Sequence, residues 1–159
     1  MSGSNLLKLV VSLGVVLAAG GIAALATTRA TPTWYQTLKK PSFNPPNWLF
    51  GPAWTVLYLL MAVAAWFVWK QGIGAAGVKL ALAVFLVQLV LNALWSIFFF
   101  GLRSPLAGLV DIVALWLAII ATIILFFRVS VPAGVLLLPY IVWVTFAAVL
   151  NAAVFHLNR

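Results

Sequence analysis

Residues 34–58 read WYQTLKKPSFNPPNWLFGPAWTVLY, and this stretch decides how the rest of the chain is organised. It holds three of the chain's eight tryptophans, two tyrosines, four of the eight prolines and the adjacent pair Lys39 and Lys40. On either side the sequence is almost unbroken hydrocarbon. A connector so stiff and aromatic, set between two apolar runs, reads as a lid or wall over a site for a flat, apolar ligand.

The 159 residues are 66% hydrophobic and only 6% charged. Soluble domains carry about a quarter charged residues, and a small fold cannot hide so much apolar surface from water. Lipid is therefore the expected solvent, and the lipid bilayer the first partner. The absence of cysteine excludes disulfides and thiolate metal sites. One acid, Asp111, and one histidine, His156, argue against a paired-carboxylate or carboxylate–histidine catalytic site. No metal site and no obligatory cofactor are expected. The net charge of +8 comes from basic residues scattered singly at the ends of apolar runs. Snorkelling and headgroup contact explain that pattern, whereas nucleic-acid faces cluster their cations. No nucleic-acid partner is expected.

About 20 apolar residues cross a bilayer core as a helix, and five runs reach that length: 6–27, 48–69, 78–100, 105–127 and 132–157. The expected fold class is an all-α integral membrane protein: a five-transmembrane-helix bundle with a structured first connector, 28–47, forming a single transmembrane domain over 1–159. Short connectors make consecutive helices antiparallel neighbours. Lys8, the run 9–25 and the pattern Ala24-Leu25-Ala26 also suit a signal peptide. The run is long for a signal h-region, and a retained helix is expected. Lys8, Lys70, Lys79 and Arg128 fall on one face against Arg29, Lys39, Lys40, Arg103 and Arg159 on the other, so the four-to-five count leaves orientation open.

Polar groups inside lipid usually face the bundle interior and find a partner. The third span sets Gln88, Asn92 and Ser96 on one helical stripe flanked by Trp95 and Phe99. The fifth sets Tyr140, Trp143, Ala147 and Asn151 on a common face, and the second sets Trp54, Tyr58 and Met61 on another. Facing one another, these helices would enclose a cavity with stacking walls and a few fixed hydrogen-bonding groups. The alternative for each residue is helix-to-helix bonding or an interfacial belt, which suits Trp34, Trp48, Trp66 and Trp69 near the span ends. Trp54, Trp95 and Trp143 lie deeper, and Asn92 and Gln88 are the expected acceptors for their indole N–H groups. Asp111, roughly 9 Å along the helix from Pro105, is expected to face inward, hydrogen-bonded or protonated, with a structural role. His156 is expected at the headgroups. The pairs Gly14/Ala18, Gly20/Ala24 and Gly77/Ala81 allow close helix approach and weakly support a homodimer.

The motifs WYQTLKKPSFNPPNW, GPAW, LNALW, FFFG, LVD, LPYIVW and AAVLN, in that order, resemble the translocator protein family across essentially the whole chain. The family is also called TspO/MBR, tryptophan-rich sensory protein or peripheral-type benzodiazepine receptor. The resemblance implies a five-helix membrane protein, often dimeric, that binds porphyrin-type tetrapyrroles, with protoporphyrin or haem as the ligand. It implies a cavity covered by the first connector. The family's pocket tryptophans match Trp54 and Trp143, its pocket asparagine matches Asn92 with Trp95 following, and Ala147 matches a small residue that affects drug binding. The lid and rim match Trp34, Lys39, Lys40, Pro45 and Pro46. Animal members carry a cholesterol-associated tyrosine and arginine where this chain has Ala152 and His156, which makes cholesterol binding through that pattern doubtful.

Taken together, the expected function is a multi-pass binding protein of a bacterial cell membrane, acting as sensor, scavenger or transporter of a tetrapyrrole. The expected ligand-binding set is Trp54, Tyr58, Gln88, Asn92, Trp95, Tyr140, Trp143, Ala147 and Asn151. The alternative is a light-dependent porphyrin-degrading enzyme that uses Trp54 and Trp143. A third reading is a channel-like membrane protein with no ligand.

Overall fold

The computed structural model describes residues 2–159. Among them, five helical segments are long and apolar enough to cross a membrane: Gly3–Ala30, Asn47–Trp69, Val78–Gly101, Pro105–Val129 and Val131–Leu157. Helices are the natural outcome, because lipid offers no hydrogen bonds and each segment must satisfy its own backbone. The chain is thus a multi-pass integral membrane protein.

The elements differ in detail from the apolar runs. α1 (Gly3–Ala30) exceeds the expected 6–27 at both ends, starting from Ser2, whose hydroxyl accepts from the Asn5 amide at 3.3 Å. α2 is a single turn, Trp34–Thr37, inside the connector. α3 (Asn47–Trp69) contains Pro52, which has no N–H to give the ladder in its second turn. α4 is Val78–Ser96 and then widens into a π turn, Ile97–Gly101, closed by the Leu102 amide bonding to the Ile97 carbonyl at 2.7 Å. α5 (Pro105–Val129) starts from Ser104, whose Oγ accepts from the Ala107 amide. The fifth run, expected as one helix over 132–157, is two: α6 (Val131–Leu136) and α7 (Leu138–Leu157). Pro139 explains the break, since its ring excludes the regular bond to the carbonyl four residues back.

The spans close into a ring. α1 packs on α3 and α4, α4 on α5, α5 on α7, and α6 returns to α3. It is α6 rather than α7 that closes on α3, so the bundle is tight at one end and open at the end below the first connector. Close contact needs small residues at three places, one of them Gly134, where a Cβ would overlap the Phe127 ring. A Cβ on Gly20 would come within 2.8 Å of the Tyr58 ring, and one on Gly108 within 3.0 Å of Asn151 and Phe99. Gly20, read above as part of a small-residue pair that supports a dimer, is used inside the protomer.

At mid-bundle a directional hydrogen-bond chain joins three spans. The Tyr58 hydroxyl donates to Asn92 Oδ1 at 2.7 Å, Asn92 Nδ2 donates to the Tyr140 oxygen at 2.9 Å, and the Tyr140 hydroxyl donates to Gln88 Oε1 at 2.9 Å. Gln88 Nε2 then reaches Met61 Sδ at 3.9 Å, returning to α3 one turn from where the chain began. All five side chains are buried. Asn92→Ala would leave the Tyr58 hydroxyl without its acceptor and the Tyr140 oxygen without its donor. The expected loss is about 1–3 kcal/mol, read as a lower thermal unfolding midpoint in detergent. An unchanged midpoint would show that the chain contributes nothing to stability.

Candidate functional site

Directly above that chain, toward the first connector, lies a cavity of about 630 Å³. Its walls follow from helix periodicity. α3 contributes Phe50, Trp54 and Tyr58, four residues apart and so on one face. α7 contributes Trp143, Ala147, Leu150, Asn151 and Val154 by the same rule. α4 ends in Trp95 and Ser96, and the π turn adds Phe99 and Phe100. Opposite these aromatics, α1 presents a face of small residues that includes Gly20, Ala24, Thr27 and Thr31. Tyr35 brings the connector, and Asn47 the start of α3, to the rim.

The aromatic walls are locked by their neighbours. The Trp54 ring lies 5.6 Å from Tyr58 and 6.3 Å from Tyr140, so it leans on two members of the hydrogen-bond chain. Trp95 stacks on Phe99 at 5.5 Å, and its indole N–H donates to Asn151 Oδ1 at 3.0 Å. Asn151 Nδ2 in turn donates to the Pro105 carbonyl at 2.8 Å, which ties the start of α5 to α7 and fixes the indole. Trp143 packs edge-on to Phe50 at 6.1 Å. Its Nε1 is buried and without a hydrogen-bond partner among the described residues. The expected acceptors, Asn92 and Gln88, are instead committed to the tyrosines.

Of the residues singled out from sequence, Trp54, Tyr58, Trp95, Trp143, Ala147 and Asn151 line the cavity. Gln88, Asn92 and Tyr140 lie one layer behind it, in the chain that forms its floor. None of Trp34, Lys39, Lys40, Pro45 and Pro46 belongs to the lining. Trp34 packs against Phe99 at 5.6 Å from outside. Asp111 is buried, and its Oδ2 has no hydrogen-bond partner among the described residues. His156 is exposed near the chain end. Sequence reasoning set Phe99 beside the third-span stripe without adding it to the binding set, and it missed Phe50, Phe100 and the α1 face. Phe50 was available from the spacing that picked Trp54 and Tyr58. Phe100 was not, because regular helical spacing turns it about 100° away from Phe99.

The connector is held as a folded cover. The buried Tyr35 hydroxyl donates to Asn44 Oδ1 at 2.9 Å, and Lys40 Nζ sits 4.7 Å above the same ring while donating to the Leu38 carbonyl. Burial pushes the Tyr35 hydroxyl above the ordinary tyrosine pKa, and its bond to Asn44 opposes part of that rise. From the far end of the chain, Asn158 grips the backbone of Lys39. Its Oδ1 accepts from the Lys39 amide and its Nδ2 donates to the Lys39 carbonyl, both at 2.9 Å.

The TspO/MBR family model matches residues 12–157. Over 155 residues the chain is 50% identical to the tryptophan-rich protein TspO of Archaeoglobus fulgidus, covering 97% of this chain and 99% of that relative. It is 41% identical over 144 residues to the tryptophan-rich sensory protein of Cereibacter sphaeroides, covering 89% and 88%. It is 39% identical over 128 residues to the human translocator protein, covering 79% and 75%.

The paired bonds of Asn158 give the cover a measurable latch. Asn158→Ala removes both, and the Lys39 amide should exchange with solvent about tenfold faster, an energy of roughly 1.4 kcal/mol, in line with one to two exposed hydrogen bonds. Hydrogen exchange read at the connector checks this, and an unchanged rate would show that the connector closes without help from the C-terminal helix.

Proposed function

Because the chain belongs to the TspO/MBR family, we propose that its cavity binds a porphyrin-type tetrapyrrole and that the protein acts as its membrane sensor, scavenger or transporter. The observation that carries this reading is the wall. Phe50, Trp54, Trp95, Phe99, Phe100 and Trp143 surround one cavity of about 630 Å³. That volume falls within the roughly 300–1,000 Å³ typical of small-molecule sites. Large aromatic faces with few polar groups suit a flat conjugated macrocycle. Offset stacking or edge contact with each ring adds about 0.5–1.5 kcal/mol beyond simple burial.

The polar groups suit the same ligand. Trp143 offers an indole N–H that has no acceptor, so a ring or edge substituent reaching it would relieve an unsatisfied donor. Asn92 serves the site from behind, by holding Tyr58 and Tyr140 against Trp54. The lining holds no charged side chain. The propionates of a porphyrin therefore belong at the mouth, below the connector that carries Lys39 and Lys40. The names of relatives as sensory protein and translocator fit receptor or carrier roles.

Titration of the purified protein with protoporphyrin, followed by quenching of tryptophan fluorescence, tests this. Trp54→Phe combined with Trp143→Phe should weaken binding by about tenfold or more, from two smaller stacking faces and the lost Trp143 N–H. An affinity equal to that of the parent would remove the cavity as the binding site.

A further inference from the structure

A second opening lies outside the bundle, on the lipid-facing side of α1 and the π turn. It is a groove of about 460 Å³ lined by Ile22, Leu25, Ala26 and Arg29 on one side and by Phe100 and Arg103 on the other. We propose that this groove is a binding site for one anionic phospholipid drawn from the bilayer.

The first argument is charge. Arg29 lies one residue before the end of α1, and Arg103 follows the π turn that ends the third span. The first and third connectors lie on the same bilayer face, so both guanidinium groups stand at one headgroup level. The chain has a single acidic side chain, Asp111, and it is buried in α5. Two cations thus share one groove with no carboxylate side chain of the protein to answer them. Paired guanidinium groups match phosphate oxygens in geometry as well as charge. A zwitterionic lipid would bring its own ammonium against them, so an anionic lipid is favoured.

The second argument is shape. Ile22 lies seven residues below Arg29, roughly 10 Å along the helix, so the groove runs from headgroup depth into acyl depth. Ala26 keeps its middle shallow, and Gly101 adds no side chain to fill it. Ile22 and Leu25 are more than half exposed, at 52% and 62%, and give an acyl chain an apolar bed. Arg103 is the one described non-glycine residue with positive φ, at 54°. That left-handed turn, a backbone state an arginine seldom adopts, is what sets its side chain beside the groove.

Native mass spectrometry of the detergent-solubilised full chain tests the proposal, with phosphatidylglycerol and phosphatidylcholine as probes. One phosphatidylglycerol should be retained at least about tenfold more strongly than phosphatidylcholine. Arg29→Gln with Arg103→Gln should abolish that preference. Lys79→Gln with Arg128→Gln removes the same charge from the opposite face and should keep it. Ala26→Phe leaves both arginines in place but fills the acyl bed, and should also expel the lipid. Circular dichroism shows whether each variant keeps its helices. Retention by the Arg29/Arg103 variant, equal loss in the two double variants, or full retention by Ala26→Phe would each overturn the site. Equal competition by inorganic phosphate would reduce it to a bare anion contact and overturn the lipid assignment. A second protein copy in place of lipid would do the same.

Discussion

The structure depends on the buried chain of hydrogen bonds from Tyr58 through Asn92 and Tyr140 to Gln88. Inside a bilayer, apolar side chains give little reason for helices to associate, because lipid tails are equally apolar. Specificity must come from close packing and from polar groups that need one another. Each link here has a single donor and a single acceptor, so the relative rotation of α3, α4 and α7 is set, not merely favoured. Sliding any one helix by a turn would break at least two bonds and leave hydroxyls or amides unsatisfied in hydrocarbon.

The cavity is a consequence of that arrangement. The chain draws the three helices together at mid-bundle, while α6 rather than α7 completes the ring against α3. Above the chain the helices stay apart, and the space is bounded by rings that lean on its members. Trp54 packs on Tyr58 and Tyr140, while Trp95 is held through Asn151 to the start of α5. α1 faces these rings with glycine, alanine and threonine, which keeps that side smooth and leaves volume for a ligand. The connector then closes the top, pinned at Tyr35 from within and at Lys39 by Asn158 from the last helix.

Much of this was legible in the sequence, and the exceptions share a cause. Five apolar runs of spanning length lead directly to five helices, because backbone satisfaction in lipid leaves no other local structure. Regular spacing on α3, α4 and α7 put Trp54, Tyr58, Trp95, Trp143, Ala147 and Asn151 on inward faces, and all six line the cavity. The same spacing could not separate lining from floor, since Asn92 and Tyr140 share faces with residues one turn higher that reach the open space. Departures from regular helix were invisible to periodicity. The π turn brings Phe100 to the wall beside Phe99, and the break before Pro139 splits the last span. The Asn158 latch joins positions 119 residues apart, and no local pattern announces it.

Phe100 shows how the two openings belong to one design. Its ring is common to the inner cavity and the outer groove, and it touches Phe99 at 4.8 Å, Tyr35 at 5.5 Å and Trp95 at 5.9 Å. A single aromatic layer therefore separates the inner cavity from the outer groove, and the same layer carries the buried tyrosine of the connector. Occupancy of one opening alters the other only through a difference in affinity for two placements of that ring. The π turn carries that ring: its hydrogen bonds span five residues instead of four, and such turns recur at functional sites. The wall between the two openings is one ring thick, so a change on either face meets the same side chain.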